Sequence, residues 1–178
     1  MDTFEERVEK YRKQESETLI DNAAWDHAQL LFKNLLEVAA EKGEPVRIIT
    51  GHMNNKFYSS LVKELQDCLD KGISVEAIIT DAPNIDLSTN QFARILKEKG
   101  ALILAQKGES IVAPHMLLIG DKAQRFRLEV DHQQTKAVAS FGNKSMGAML
   151  ISVYKNAKRE LLALHSVTQK NKEKLATV

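Results

Sequence analysis

Cysteine is almost missing from this chain of 178 residues, and the single Cys68 has no internal partner. A disulfide framework and any paired-cysteine zinc motif are therefore excluded. Cys68 lies near Leu65 and Leu69 at helical spacing, which predicts a packed thiol and suits a reducing cytoplasm. Neither sign of charge is in excess, with 25 Lys and Arg against 24 Asp and Glu. Global charge thus gives no electrostatic drive toward nucleic acid or membrane, and any such drive must be local. No apolar run approaches the roughly 18 residues of a transmembrane helix. The start, Met1-Asp2-Thr3-Phe4-Glu5-Glu6, is acidic where a secretory leader would be basic and then apolar, so a cytoplasmic protein that is not exported is expected.

What is present is an ordinary globular balance, 43% hydrophobic and 28% charged. At roughly 150 residues per domain the length allows one α/β core with a short extension, and burial on the order of 70% of the unfolded surface makes a metal or disulfide unnecessary.

Glycine and proline are absent until Gly43 and Pro45, and Ile20, Ala24, His27, Leu31, Leu35 and Val38 recur at steps of three or four. Residues 1–41 therefore read as helix, the interleaved charges of 5–17 forming a solvated face. From Val46 short β-branched runs alternate with amphipathic segments, the pattern of βα units on a parallel or mixed sheet. Strands are expected at 46–50, 73–80 and 101–105. Between them, Asn54 or Asn55 opens a helix burying Phe57, Leu61, Leu65 and Cys68 and ending at Gly72, and a capping box at Ser88-Thr89-Asn90-Gln91 opens a second. Strand-like runs at 111–119, 124–130 and 136–141 follow, joined by turns at Gly120-Asp121 and Asp131-His132, before a helix from about Ser145 through Leu150, Ala157 and Leu161. The end from Gln169 reads as a frayed polar tail.

The five histidines, His27, His52, His115, His132 and His165, show no metal-ligand spacing. Thr50-Gly51-His52 falls where α/β sheets bind ligands, beyond a strand's carboxyl end. It lacks the glycine fingerprint of dinucleotide sites and the Lys-Ser/Thr of a P-loop, so no cofactor is expected. His115 follows Pro114 inside an apolar run, where its ring must be hydrogen-bonded or face a cavity. In Arg125-Phe126-Arg127-Leu128-Glu129, alternation sends Arg125, Arg127 and Glu129 to one face and Phe126 and Leu128 to the core. That charged face suits either solvent or an anion. After residue 154, Lys155, Lys158, Arg159, Lys170, Lys172 and Lys174 outnumber Glu160 and Glu173. A basic helix end of this kind suits the helix dipole, and it also suits a phosphate backbone, with Tyr154 the only aromatic there for base stacking.

Three stretches carry a wider likeness: Val46-Arg47-Ile48-Ile49-Thr50-Gly51 leading to Phe57-Tyr58, then Pro114-His115-Met116-Leu117-Leu118-Ile119-Gly120-Asp121-Lys122, then Ala139-Ser140-Phe141-Gly142-Asn143. Over 46–162 the chain resembles a single-motif member of the phospholipase D superfamily, whose signature is His-x-Lys-x-x-x-x-Asp followed by Gly-Ser-x-Asn. The resemblance implies a mixed sheet flanked by helices; with the pattern read above, this divides the chain into a helical extension (1–41), the α/β domain (42–165) and a polar tail (166–178). It implies that His115 stands at the nucleophile position and that a homodimer brings two copies of it together. The motif is degenerate: Leu117 stands at the lysine position, Lys122 at the acidic one, and Asp121 falls one residue early. Loss of that lysine removes several kcal/mol of transition-state stabilisation unless Arg125 or Arg127 replaces it. The expected site is His115, Asp121, Arg125, Arg127, Glu129, Ser140, Asn143 and His52. The function implied is binding of a phosphate-bearing ligand or nucleic acid with little or no hydrolysis. Two alternatives stand beside it: an active homodimeric phosphodiesterase or nuclease using His115, and an assembly subunit of a larger complex.

Overall fold

The central strands β2 (Val46–Thr50) and β3 (Val75–Ile79) bury nearly every side chain, as parallel strands covered on both faces must. The structure, a computed structural model, describes residues 2–81, 86–99, 102–106, 109, 111–131 and 136–176. Around this pair the sheet grows in both directions. On one side, β4 (Leu102–Leu104) adds parallel to β3. On the other, β5 (Met116–Ile119), β6 (Arg125–Asp131) and β7 (Lys136–Ser140) add antiparallel, and β1 (Ile20–Asn22) closes the edge on β7. The order is β1-β7-β6-β5-β2-β3-β4, a mixed sheet with helices on both faces, the α/β architecture expected.

Alternation along the strands divides the core into two layers. Val46, Ile48, Val75, Ala77, Leu117, Ile119 and Ala139 face α2 (Trp25–Lys42), α4 (Val62–Asp70) and α5 (Gln91–Glu98). Ile49, Ile78, Met116, Leu118 and Phe126 face α6 (Lys144–Ala176), which buries Leu150, Tyr154, Ala157 and Leu161 against them. The period-3.6 face predicted for α2 is present, with Leu31, Leu35 and Val38 all buried.

Several expected elements are corrected. Residues 1–41 are not helical throughout: α1 (Phe4–Lys13) stops, Glu15 turns with φ 48°, and β1 intervenes before Trp25. Pairing won over helical periodicity here, because Ile20 and Asn22 stand opposite Ala139 and Ala137 and complete the sheet. The helix after Asn54 runs as α3 (Asn55–Tyr58), a 3-10 turn (Ser59–Leu61) and α4, with Phe57, Leu61, Leu65 and Cys68 buried as expected and Gly72 at φ 73°. The cap of α5 is Asn90 rather than Ser88: its Oδ1 accepts from Ala93 N–H at 3.0 Å and its Nδ2 donates to Met53 O at 2.6 Å. Strand β5 begins only at Met116, because Pro114 has no N–H for a ladder. The backbone of α6 continues to Ala176, so the segment after Gln169 is helical. Gly100, His132 and the expected turn around it lie outside the described residues. Among the described residues no helix is long and apolar enough to cross a membrane.

Gly142 shows why the N-terminal segment belongs to the fold. A Cβ there would lie 1.9 Å from Glu15 O, so only glycine lets this segment cross the β7–α6 junction. Ser140 Oγ donates to Ser16 O at 3.1 Å on the same path.

Cys68 is fully buried against α2, its Sγ 3.4 Å from Leu36 O, and burial pushes the thiol up to about 11. Native protein at pH 8 is therefore expected to leave Ellman's reagent unreacted, with one thiol per chain appearing only on unfolding; rapid native labelling would contradict this packing.

Candidate functional site

At the carboxyl end of β2 the sheet opens. There Thr50-Gly51-His52 leaves the strand while β5 begins and β6 ends, so three chain segments diverge beneath the first turns of α2. The gap is a cavity of about 310 Å³ bounded by residues of α2, α3 and strands β2, β5 and β6. Its wall is aromatic: Trp25 meets Phe57 edge-on with centroids 5.3 Å apart, and Phe32 meets Phe57 and Tyr58 at 5.1 and 5.8 Å. Such perpendicular contacts align ring edges with ring faces and add to the area each ring buries.

The polar floor comes from β6. Arg127 stands opposite Leu117 on β5, facing α2, and is 7% exposed. Its Nε donates to Asn22 Oδ1 at 3.2 Å, its guanidinium lies 5.6 Å from the Phe32 ring centre, and Nη1 is 4.0 Å from Glu129 Oε2. Burial lowers its pKa, opposed by Glu129 and Tyr58; a guanidinium starts so high that it stays charged. Glu129 N–H donates to His115 O at 2.9 Å, fixing the two residues side by side. Glu129 Oε2 then lies 3.7 Å from His115 Nδ1, beyond hydrogen-bond length. Tyr58 is pushed up to about 12 by burial, with Glu129 adding to this and a Thr50 hydrogen bond and Arg127 opposing it, so its hydroxyl is a neutral donor at physiological pH.

Gly51 makes room for this arrangement. A Cβ at Gly51 would approach His115 Nε2 to 3.0 Å, so the ring lies directly against the backbone of the turn after β2. Close approach rather than turn geometry is the reason for glycine in the Thr50-Gly51-His52 segment.

Of the eight residues expected at the site, His52, His115, Arg127 and Glu129 share the cavity. The other four do not. Arg125, two residues before Arg127, sits at the opposite end of the sheet beside Ile119. Its Nη1 is 2.8 and 2.7 Å from the two oxygens of Glu44, and Nη2 is 3.1 Å from Glu15. The N-terminal segment covers that end of β6, so the charged face is not open there to solvent or ligand. Asp121 is exposed at the same far end, 3.7 Å from Arg47. Ser140 Oγ accepts from the N–H groups of Gly142 and Asn143. Asn143 caps α6, with Oδ1 accepting from Met146 N–H at 3.0 Å, and its Nδ2 donates to Glu17 O. In the basic C-terminal stretch, Lys158 and Tyr154 are both bonded to Glu76.

The aromatic wall was not foreseen. Phe57 and Tyr58 were expected only as core and helix residues; Trp25 and Phe32, seven positions apart and so on one face of α2, offered the available signal. Among the described residues no group of three His, Cys, Asp or Glu side chains is arranged to hold a metal ion.

No model of a known protein family matches the chain, and no curated protein matches it. Among solved structures the fold is similar to TrmBL2, described as an archaeal chromatin protein with a novel mode of DNA binding. The TM-score is 0.59 at 14% sequence identity, over 80% of this chain and 52% of that one. The chain thus spans about half the length of TrmBL2, and at this identity the likeness is one of fold.

Arg125→Ala strands the Glu44 carboxylate while Glu15 keeps Lys42 at 2.5 Å, and because Glu44 keeps some solvent contact the expected loss is about 2–4 kcal/mol, near the lower end for a broken buried pair. Urea unfolding should show it; unchanged stability would mean the pair contributes nothing.

Proposed function

We propose that this chain is a phospholipase D-like domain whose cavity binds a small phosphate-bearing ligand with little or no hydrolysis. The observation that carries the reading is the meeting of Arg127, His115 and Glu129 on the floor of one aromatic-walled cavity at the carboxyl end of β2. In the degenerate motif Leu117 stands where the superfamily has lysine. Arg127 is its direct neighbour across the β5–β6 ladder, so a cation projects from the adjoining strand on the same face. Glu129 likewise gives His115 a carboxylate neighbour from β6 rather than from the motif itself.

The charges set what is bound. Arg127 and Glu129 nearly cancel, so with neutral imidazole the floor has no net charge. With His115 protonated it carries one positive charge, matched to a phosphate monoanion. Tyr58 and Thr50 supply neutral hydrogen-bonding groups and His52 a further imidazole at the rim. Turnover is disfavoured because Arg127 is already held by Asn22 and Glu129. A homodimer belongs to the reading through the superfamily resemblance. Val112 and Val130 support it by leaving apolar surface exposed within three residues of the cavity lining.

Calorimetric titration with ribose 5-phosphate is expected to give binding. Arg127→Leu should abolish it, and His115→Ala should weaken it. A bis-aryl phosphodiester should be cleaved no faster by the native protein than by His115→Ala. Absence of phosphate binding in the folded protein would sink this reading, and cleavage that His115→Ala eliminates would replace it with a phosphodiesterase.

The likeness to TrmBL2 favours a second reading, nucleic acid as the phosphate-bearing partner. A cavity of about 310 Å³ admits a small ligand, not a duplex. Fluorescence anisotropy with labelled duplex DNA should therefore show only salt-sensitive association in the non-specific range, Kd about 10⁻⁴–10⁻⁶ M, unaffected by Arg127→Leu. Tighter binding would favour the second reading.

A further inference from the structure

We infer that the ligand of this cavity carries a planar ring as well as a phosphate: a nucleoside monophosphate, with its base stacked on Trp25 and its phosphate against Arg127 and His115. The inference rests on the phosphate reading above and deepens it.

Size is the first argument. A cavity of about 310 Å³ is several times the volume of a phosphate ion, while its walls are mostly apolar, from Trp25, Ala28, Phe32, Phe57 and Met116. A ligand ending at a phosphate or a short polyol would leave that apolar wall wet, whereas a ring fused to the phosphate-bearing part covers it.

Trp25 is the second. It is the only tryptophan in the chain and begins α2 at the cavity rim, yet it remains 48% exposed. Phe32, Phe57 and Tyr58 are each buried to 9% exposure or less, so the aromatic cluster is closed on the core side and open only at Trp25. Its sole ring partner among the described residues is Phe57, met edge-on at 86°, so the indole is not sandwiched. A half-exposed indole beside a cavity whose floor presents an arginine is the arrangement by which proteins hold a base without reading its sequence.

The rim supplies the third. His52 and Asn54 are exposed and line the same cavity, offering hydrogen-bonding groups at the level where a ribose or base edge would emerge.

The sole tryptophan makes the test direct. The full-length chain is titrated with adenosine 5′-monophosphate, ribose 5-phosphate and adenosine, following indole emission and, in parallel, calorimetry. The nucleotide is expected to quench Trp25 and to bind roughly five- to hundredfold more tightly than ribose 5-phosphate, the worth of one stacked base. By calorimetry, Trp25→Ala should bring the nucleotide to the affinity of ribose 5-phosphate and leave the latter unchanged, while Trp25→Phe should keep most of the difference. Circular dichroism verifies that both variants fold. Equal affinity for the nucleotide and ribose 5-phosphate would overturn the stacking inference and leave the phosphate reading intact. Adenosine binding as tightly as the nucleotide would overturn the phosphate reading and this inference with it, as would no binding of any of the three at millimolar concentration.

Discussion

Everything about this molecule turns on β6, a strand that sends two arginines and a glutamate toward a face covered by a helix. Burying a guanidinium without a partner is prohibitive, so each arginine must be answered by the surrounding chain. The two ends of the strand receive different answers. Arg125 is matched by Glu44 and Glu15, which lie on the α2–β2 connection and on the turn after α1. Arg127 is matched by Asn22 from β1 and more distantly by Glu129, and next to it the packing stays open. One strand thus contributes a structural clamp at one end and a cavity floor at the other.

Strand alternation alone assigned Arg125, Arg127 and Glu129 to a common face, and the ladder agrees. What alternation does not carry is the position of each residue along the strand axis relative to what covers it. Two residues separate Arg125 from Arg127, about 7 Å, which is the whole distance from the covered end to the open one. Arg127 and Glu129 were legible from alternation within their strand, His115 as a polar ring in an apolar run, and His52 from its place beyond the carboxyl end of β2. Asp121, Ser140 and Asn143 entered through a degenerate motif, where sequence adjacency concealed roles in turns and capping. The helical reading of 1–41 failed at β1 for a related reason. Three residues of edge strand are specified by their partners on β7, more than a hundred positions away, and not by any local periodicity. The aromatic wall went unread because its members come from two helices that approach only after folding.

Close packing explains two glycines that composition alone treats as punctuation. Gly51 admits the His115 ring and Gly142 admits the N-terminal segment. In both cases the missing side chain is filled by another part of the chain, so these positions behave as packing sites rather than hinges.

The long reach of the contacts around β6 has a consequence for biosynthesis. Asn22 bonds Arg127 across 105 positions and Ser16 bonds Ser140 across 124. During translation the first β-strand and the aromatic face of α2 leave the ribosome well before the strands that complete them. The indole and phenyl groups of the future cavity wall are then exposed together on an unfinished sheet, and topologies of this kind close slowly. Until β5, β6 and β7 have emerged, that nascent segment is a natural client for chaperones that recognise clustered aromatics.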